Sequence, residues 1–202
     1  MTDVVTRVEE ARIGRGEDRI AVLRLRDRTV VVLADGAGGT GGGAAAADRV
    51  CTAAVEARQG GICDWAPWLS LLDSEMAARS AGLAAAVVLE ILGDGRVSGA
   101  SIGDCEVWVF GAHPFCLTYR QARKPLLGDG SASPVAFAYS FGGGTLVAAT
   151  DGLWKYAGRN EFAEAARRRP LEEAAGALVD AARLPSGALP DDVAVAICEV
   201  VS

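Results

Sequence analysis

The sequence has one histidine, His113, among its 202 residues, and it has no long run of hydrophobic residues. A single histidine excludes multi-histidine metal sites, so any bound metal would have to be held by oxygen ligands. No stretch approaches the roughly 20 apolar residues that cross a bilayer, and the first residues lack the apolar core of a signal peptide. We therefore expect a cytoplasmic protein that has no membrane partner.

Cysteines and basic residues are present, but neither forms an informative cluster. The five cysteines include no Cys-x-x-Cys pair, which predicts reduced thiols and neither a zinc site nor a disulfide framework. The 20 Lys and Arg residues against 26 Asp and Glu residues give a net charge of -6. The one tribasic run, 167–169, ends a helical pattern, where cations suit the helix dipole. Without a basic patch, we expect no nucleic-acid partner.

Half of the residues are hydrophobic, which is enough for a substantial core, and neither a linker nor a repeat interrupts the chain. We therefore predict a single domain over residues 1–202. Apolar periodicity predicts strands over 4–13, 19–25, 29–34, 84–92, 95–103, 106–111, 114–119, 136–141, 145–150 and 193–200, and helices over 44–58, 65–79, 160–169 and 171–183. Antiparallel strands separated by helix pairs predict an α+β fold in which two packed, mainly antiparallel β-sheets are flanked by helices.

Acidic residues border five of the predicted strands. The acids are Glu17-Asp18, Asp35, Asp104, Asp151 and Asp191-Asp192. Carboxylates that converge at a sheet edge repel one another and raise each other's pKa values, and a divalent cation removes that cost. Taken singly, each acid is better explained as an ordinary turn residue. Taken together, they predict a site for Mg²⁺ or Mn²⁺, the ions that oxygen ligands suit.

The glycine-rich segment after Asp35 has two interpretations. Gly36-x-Gly38-x-x-Gly41 matches the fingerprint of a dinucleotide-binding loop. However, Glu56, at about the distance expected for the ribose-binding acid, lies inside a helical pattern, and no second parallel strand precedes it. Asp35 would also present a negative charge to the pyrophosphate. Metal binding by Asp35, with the Gly36 carbonyl as a neighbouring ligand, is the preferred interpretation.

The motifs resemble those of the protein phosphatase 2C (PPM) family, the metal-dependent serine/threonine phosphatases. They occur in family order from residue 17 to the last strand: Glu17-Asp18, Asp35-Gly36-Ala37-Gly38-Gly39, Gly103-Asp104-Cys105, Asp151-Gly152-Leu153-Trp154 and Asp191-Asp192. The resemblance implies an α-β-β-α sandwich that hydrolyses phosphoserine or phosphothreonine with a metal-activated water. It implies Mn²⁺ or Mg²⁺ as cofactor, a phosphorylated protein as substrate, and a Ser/Thr kinase or its target as partner.

The resemblance also implies roles for individual residues. Asp35 would bridge two metal ions, and Asp151 and Asp191 would bind the first of them. The Gly36 carbonyl would bind the second ion, with Glu17 assisting through water. Asp104 is the candidate ligand of a possible third ion.

The sequence departs from the family pattern at the position that grips the substrate phosphate. The family's arginine stands four residues before its glutamate, and that position is Ile13 here. Arg12 or Arg15 is the expected substitute, with a slight preference for Arg15. Ala37 takes the place of a histidine found in many eukaryotic members.

A second hypothesis from another class is a phosphatase-fold binding module with weak or no turnover. The missing arginine favours this module, and Asp192 in place of the usual asparagine adds a negative charge near the metals. Retention of Asp35, Asp151 and Asp191 favours the enzyme, because a binding surface has no physical need for three converging acids. We therefore predict a metal-dependent phosphoprotein phosphatase.

Overall fold

We describe the protein from a computed structural model, which covers residues 3–14, 16–38, 41–111, 113–140 and 143–201. Its strands are β1 (Asp3–Ala11), β2 (Asp18–Arg24), β3 (Arg28–Gly36), β4 (Ala84–Leu92), β5 (Arg96–Ile102), β6 (Glu106–Phe110), β7 (Pro114–Cys116), β8 (Val135–Ser140), β9 (Thr145–Ala149) and β10 (Val193–Val201). Its helices are α1 (Gly43–Gln59), α2 (Trp65–Ala78), α3 (Asp151–Tyr156), α4 (Arg159–Ala165) and α5 (Leu171–Ala181). None of these helices is both long and apolar enough to cross a membrane.

The strands form two five-stranded sheets in which every neighbouring pair is antiparallel. The first sheet has the order β1-β10-β9-β6-β7, and the second has the order β2-β3-β4-β5-β8. The chain passes from the second sheet to the first between β5 and β6, at the turn that contains Asp104. This arrangement confirms the prediction of two packed antiparallel sheets.

The central strands are apolar along their whole length because both of their faces are buried. In β3, Val30 and Val32 pack towards the helices α1 and α2, whereas Val31 and Leu33 pack towards the other sheet. Side chains alternate between the two faces of a strand, so a strand buried on both faces needs no polar residue between its apolar ones. The same alternation divides β10 between the inter-sheet core and the layer of α3–α5.

The resulting order of layers is helices, sheet, sheet, helices. Helices α1 and α2 cover the outer face of the second sheet, and α5 packs on β1 and β10 of the first sheet. The predicted α-β-β-α sandwich is therefore confirmed. The glycine-rich segment that follows β3 leads directly into α1.

Several predicted boundaries differ from the structure. The segment that begins with Asp151 is a six-residue helix, α3, which the sequence pattern did not predict. Helix α4 begins at Arg159, one residue before its predicted start, and ends at Ala165 rather than at residue 169. Helix α5 begins at Leu171 as predicted and ends at Ala181 rather than at residue 183. The predicted strand 114–119 shortens to three residues, because the chain turns after Cys116.

Candidate metal centre

The acidic residues predicted from the strand ends gather at one end of the sandwich. Asp18 begins β2, Asp35 lies near the end of β3, and Asp151 follows β9. The remaining acids lie in the turn between β5 and β6 and in the segment before β10: Asp104, Asp191 and Asp192. Strands from both sheets thus contribute to a single cluster.

Asp18 and Asp35 lie directly opposite each other on neighbouring strands. Both belong to the strand face that contributes Ile20 and Leu33 to the core between the sheets. Like charges placed opposite each other in this way are destabilising. The two carboxyl groups therefore make this edge of the second sheet electrostatically unfavourable.

Burial raises the pKa of Asp18 to about 7, the hydrogen bond from Thr150 opposes the increase, and the charges of Asp192, Asp151 and Asp191 add to it. The Thr150 hydroxyl donates that bond to Asp18 Oδ2 at 2.6 Å. Burial also raises the pKa of Asp35, to about 9, with the nearby charge of Asp18 as the next contribution. Both shifts express the cost of keeping negative charge here without a cation.

Three carboxylates come close enough to share one ion. Asp35, Asp104 and Asp151 each offer an oxygen, and these oxygens lie within 4.8 Å of one another. Burial and the charge of Asp151 raise the pKa of Asp104. The structure thus brings together two residues predicted for the main pair of ions and the residue predicted for a third ion.

Asp191 adjoins this group through a lysine. Lys155, one helical turn after Asp151 in α3, forms a salt bridge with Asp151, and its Nζ lies 3.8 Å from Asp191 Oδ2. Burial lowers the pKa of Lys155, but the hydrogen bond and charge of Asp151 outweigh that effect and raise it. The ammonium group of Lys155 therefore lies between two of the predicted ligands. That Asp151 and Asp191 bind the same metal ion stays a prediction.

Asp192 organises the backbone before β2. Its carboxylate accepts hydrogen bonds from the backbone N–H groups of Ile13 at 2.5 Å and Glu17 at 2.6 Å. These bonds fix the segment that carries Glu17 against the segment before β10 that carries Asp191. The acid found in place of the family's asparagine thus has a structural role.

Two glycines allow this close packing. A Cβ at Gly38 would lie 2.0 Å from Glu17 Oε2, and a Cβ at Gly152 would lie 1.9 Å from the Asp192 carbonyl oxygen. Gly36 ends β3, and its N–H donates to the Glu17 carbonyl at 3.3 Å. Glu17 therefore lies against the glycine loop, and the ligand roles of Gly36 and Glu17 stay predictions.

The structure describes only one of the two arginines expected to contact phosphate, so that expectation stays a prediction. The side chain of Arg12 forms a salt bridge with Glu10, and Ile13 is exposed. Arg15 lies outside the described residues, as does Gly39 of the glycine loop. Among the described residues, Lys155 forms salt bridges with both Asp151 and Asp191.

The donor set of this cluster fits a hard divalent cation. Burial raises the pKa of the Cys105 thiol well above its ordinary value, so this neighbouring thiol stays protonated. The available ligands are then carboxylate and carbonyl oxygens, which suit Mg²⁺ or Mn²⁺. Buried acids with raised pKa values supply the driving force, because a cation relieves their repulsion.

Sequence reasoning missed Thr150 and Lys155 as members of the site, and it counted Asp18 among the strand-end acids without giving it a ligand role. The spacing of Asp18 from Ile20 and Val22 places it on the inward face of β2. Lys155 follows Asp151 by four residues, a spacing that pairs side chains on a helix. This spacing predicts a contact between Lys155 and Asp151 only if the segment is known to be the helix α3.

Two antiparallel sheets between helical layers, with a carboxylate cluster at one end, form the fold of the 2C-type protein phosphatases. The model of the Stage II sporulation protein E (SpoIIE) family matches residues 4–201, and the chain belongs to this PPM-type family. The family resemblance read from the motifs is therefore confirmed. No curated protein matches the chain significantly by sequence.

Solved structures share the whole fold at low sequence identity. The catalytic domain of serine threonine protein phosphatase PstP, in complex with 2 manganese ions, is 19% identical with a TM-score of 0.79, covering 100% of both chains. RsbX in complex with magnesium is 14% identical with a TM-score of 0.78, also covering 100% of both chains. A bacterial serine phosphatase is 15% identical with a TM-score of 0.79, covering 100% of this chain and 99% of the other.

Proposed function

We propose that the protein is a phosphoprotein phosphatase that hydrolyses phosphoserine or phosphothreonine with the aid of Mn²⁺ or Mg²⁺. The observation that carries the proposal is the convergence of Asp35, Asp104 and Asp151 oxygens within 4.8 Å of one another. The manganese in PstP and the magnesium in RsbX, which share the fold, support the choice of ion.

The residues that would hold the ions are Asp35, Asp104, Asp151 and Asp191, with the Gly36 carbonyl and Glu17 assigned by family resemblance. We propose two ions, with Asp104 as ligand of a possible third. When bound, divalent cations supply a water of lowered pKa and offset the charge that develops on a phosphoryl group. This chemistry requires no serine, cysteine or histidine nucleophile.

Thr150 and Lys155 position the carboxylates and add a positive charge to the site. Thr150, which follows β9 of the first sheet, donates a hydrogen bond to Asp18 of the second sheet and so links the two sheets at the cluster. Lys155 lies beside Asp151 and also lines the pocket that opens from the cluster. We assign its ammonium the role of a phosphate contact, because it pairs with Asp151 and lines that opening.

We also propose a cellular location and a partner for the protein. All five cysteines are free thiols, which supports the predicted cytoplasmic location. A phosphoserine or phosphothreonine substrate requires a protein kinase that forms it, so we propose a Ser/Thr kinase or its target as partner.

Phosphate release from phosphoserine and phosphothreonine peptides tests the proposal. We expect turnover with Mn²⁺ or Mg²⁺ and none in EDTA. Asp151→Asn removes a ligand charge and should abolish turnover. Asp180→Asn, at an exposed acid of α5, is the matched control and should behave as wild type. Full activity in EDTA, or wild-type activity in Asp151→Asn, would overturn the mechanism. Peptide binding without turnover would favour the binding-module alternative.

A further inference from the structure

A pocket of about 580 Å³ opens beside the carboxylate cluster. Asp104 and Asp151 line this pocket as well as belonging to the three-acid group. Its volume falls within the range of about 300–1,000 Å³ that is typical of ligand sites. A phosphoryl group held over the acids would therefore place the adjoining part of its substrate at the pocket mouth.

The floor of the pocket is an aromatic cluster formed by β6, α3 and α4. Trp154 packs edge-on against Phe162 at 4.7 Å between ring centroids, and Trp108 lies 6.2 Å from Trp154. The rings hold one another in place, so the surface is formed before any ligand arrives. Such a preformed surface lowers the cost of ordering side chains on binding.

The indole N–H groups of this floor are already satisfied within the protein. Trp108 Nε1 donates to Glu106 Oε2 at 2.7 Å, and Trp154 Nε1 donates to the Ala149 carbonyl at 3.0 Å. What the indoles present to the pocket is therefore apolar ring surface. A ligand group that fits this floor is large and apolar, because a polar group would lose its water without gaining a partner.

Two arginines line the pocket together with three acids, of which Asp104 and Asp151 belong to the cluster and Glu106 accepts the Trp108 indole N–H. Arg123 and Arg159 are exposed residues that line it. Within the described ranges neither guanidinium forms a salt bridge with a carboxylate. Free guanidinium groups at the edge of a pocket favour carboxylates or phosphates on the incoming ligand.

We infer that this pocket selects phosphoprotein segments in which a large apolar side chain lies next to the phosphorylated residue and acidic residues flank it. The inference rests on the proposed phosphatase function, which supplies the phosphoryl group at the adjoining cluster. The apolar side chain packs on Trp108, Trp154 and Phe162, while Arg123 and Arg159 contact the flanking acids. The pocket thus deepens the proposed function by defining the substrate class.

The test uses phosphoserine peptides that are identical except at the positions next to phosphoserine, which carry either leucine or glycine. We expect the leucine peptides to have a kcat/KM on the order of tenfold higher with Mn²⁺, mostly through KM, since small changes in apolar contact give discrimination of this size. A second peptide pair that carries glutamate or glutamine at the flanks should show a several-fold preference for glutamate.

Ala163→Leu fills the pocket from α4, because Ala163 lines it. We expect this variant to lose the leucine-to-glycine preference. Ala57→Leu, at a half-buried alanine of α1 on the opposite side of the sandwich, is the matched control and should keep it. Arg159→Gln should lose the preference for glutamate and keep the preference for leucine.

Binding of the same peptides with a non-hydrolysable phosphonate, followed by fluorescence anisotropy, separates this inference from the proposed function. A leucine preference in binding that Ala163→Leu removes supports the pocket even where turnover is absent. Equal binding and equal kcat/KM for leucine and glycine peptides would overturn the pocket inference. Hydrolysis of p-nitrophenyl phosphate in that case would leave the phosphatase function standing.

Discussion

Removal of divalent cations should make the stability of this protein fall as the pH rises. Burial and the neighbouring acids give Asp18 a pKa of about 7 in the folded state, against its ordinary value of 3.8. Between these values the folded protein holds a proton that the unfolded chain releases. The free energy of unfolding therefore decreases with rising pH across this window and is highest near its acidic end.

The size of the effect follows from the shift. One unit of pKa difference corresponds to about 1.4 kcal/mol. Protonation of Asp18 alone then changes the free energy of unfolding by about 2.5 kcal/mol between about pH 5 and pH 8. Asp35, with a pKa of about 9, contributes in the same direction over a wider range.

Surface acids do not oppose this trend within the window. The Arg28 guanidinium lowers the pKa of Asp27, and hydrogen bonds from the backbone and side chain of Arg96 lower the pKa of Asp94. A lowered pKa contributes stability that is lost only when the pH falls through the folded value, which lies below 3.8 for both groups. Their contributions are therefore constant between about pH 5 and pH 8.

Urea unfolding in EDTA, followed by tryptophan fluorescence at several pH values, measures this dependence. Saturating Mn²⁺ should reverse the loss, because the ion binds deprotonated carboxylates and stabilises the folded state by about 2.7 kcal/mol at a hundredfold excess over Kd. Asp35→Asn should be more stable than wild type in EDTA near pH 8, whereas Asp180→Asn should not. A free energy of unfolding that stays constant or rises from pH 5 to pH 8 in EDTA would refute the electrostatic argument.

Further substitutions test other parts of the site. Lys155→Gln removes the ammonium that competes with metal for Asp151, so the Kd for Mn²⁺ measured by calorimetry should fall several-fold. An unchanged Kd would show that Lys155 does not compete with the metal. Lys155→Gln should also raise the KM for a phosphopeptide more than Arg12→Ala does, because Arg12 is paired with Glu10. If steady-state kinetics show the larger increase in KM for Arg12→Ala, the phosphate contact is Arg12 and not Lys155. Asp192→Ala leaves the Ile13 and Glu17 amides without their acceptor and should lower the free energy of unfolding by about 2 kcal/mol in urea titrations, with Asp192→Asn intermediate; no loss would show that water replaces these bonds.

The layers of the fold were predictable because hydrophobic patterning reports burial. Strands such as β4 and β10 read as continuous apolar runs, and the acids at strand ends stand out against them. Asp35, Asp104 and Asp151 were identified in this way, and their motifs indicated the family. These features depend on residues that are close in sequence.

The remainder of the site depends on tertiary register. Helix α3 is too short for its periodicity to be read, so the position of Lys155 relative to Asp151 was not predicted. The bond between Thr150 and Asp18 joins the two sheets and is set by how they pack. The aromatic pocket combines β6 with α3 and α4, and the aromatic residues that form it are individually ordinary core residues.

Calorimetric titration of the metal-free protein with Mn²⁺ near pH 8 measures whether the carboxylate cluster is a metal site. We expect two tightly bound ions per chain, proton release that reflects the raised pKa values of the carboxyl groups, and loss of this binding in Asp35→Asn. Wild-type protein that takes up no Mn²⁺ at millimolar concentration, or an Asp35→Asn variant that binds as wild type does, would contradict it.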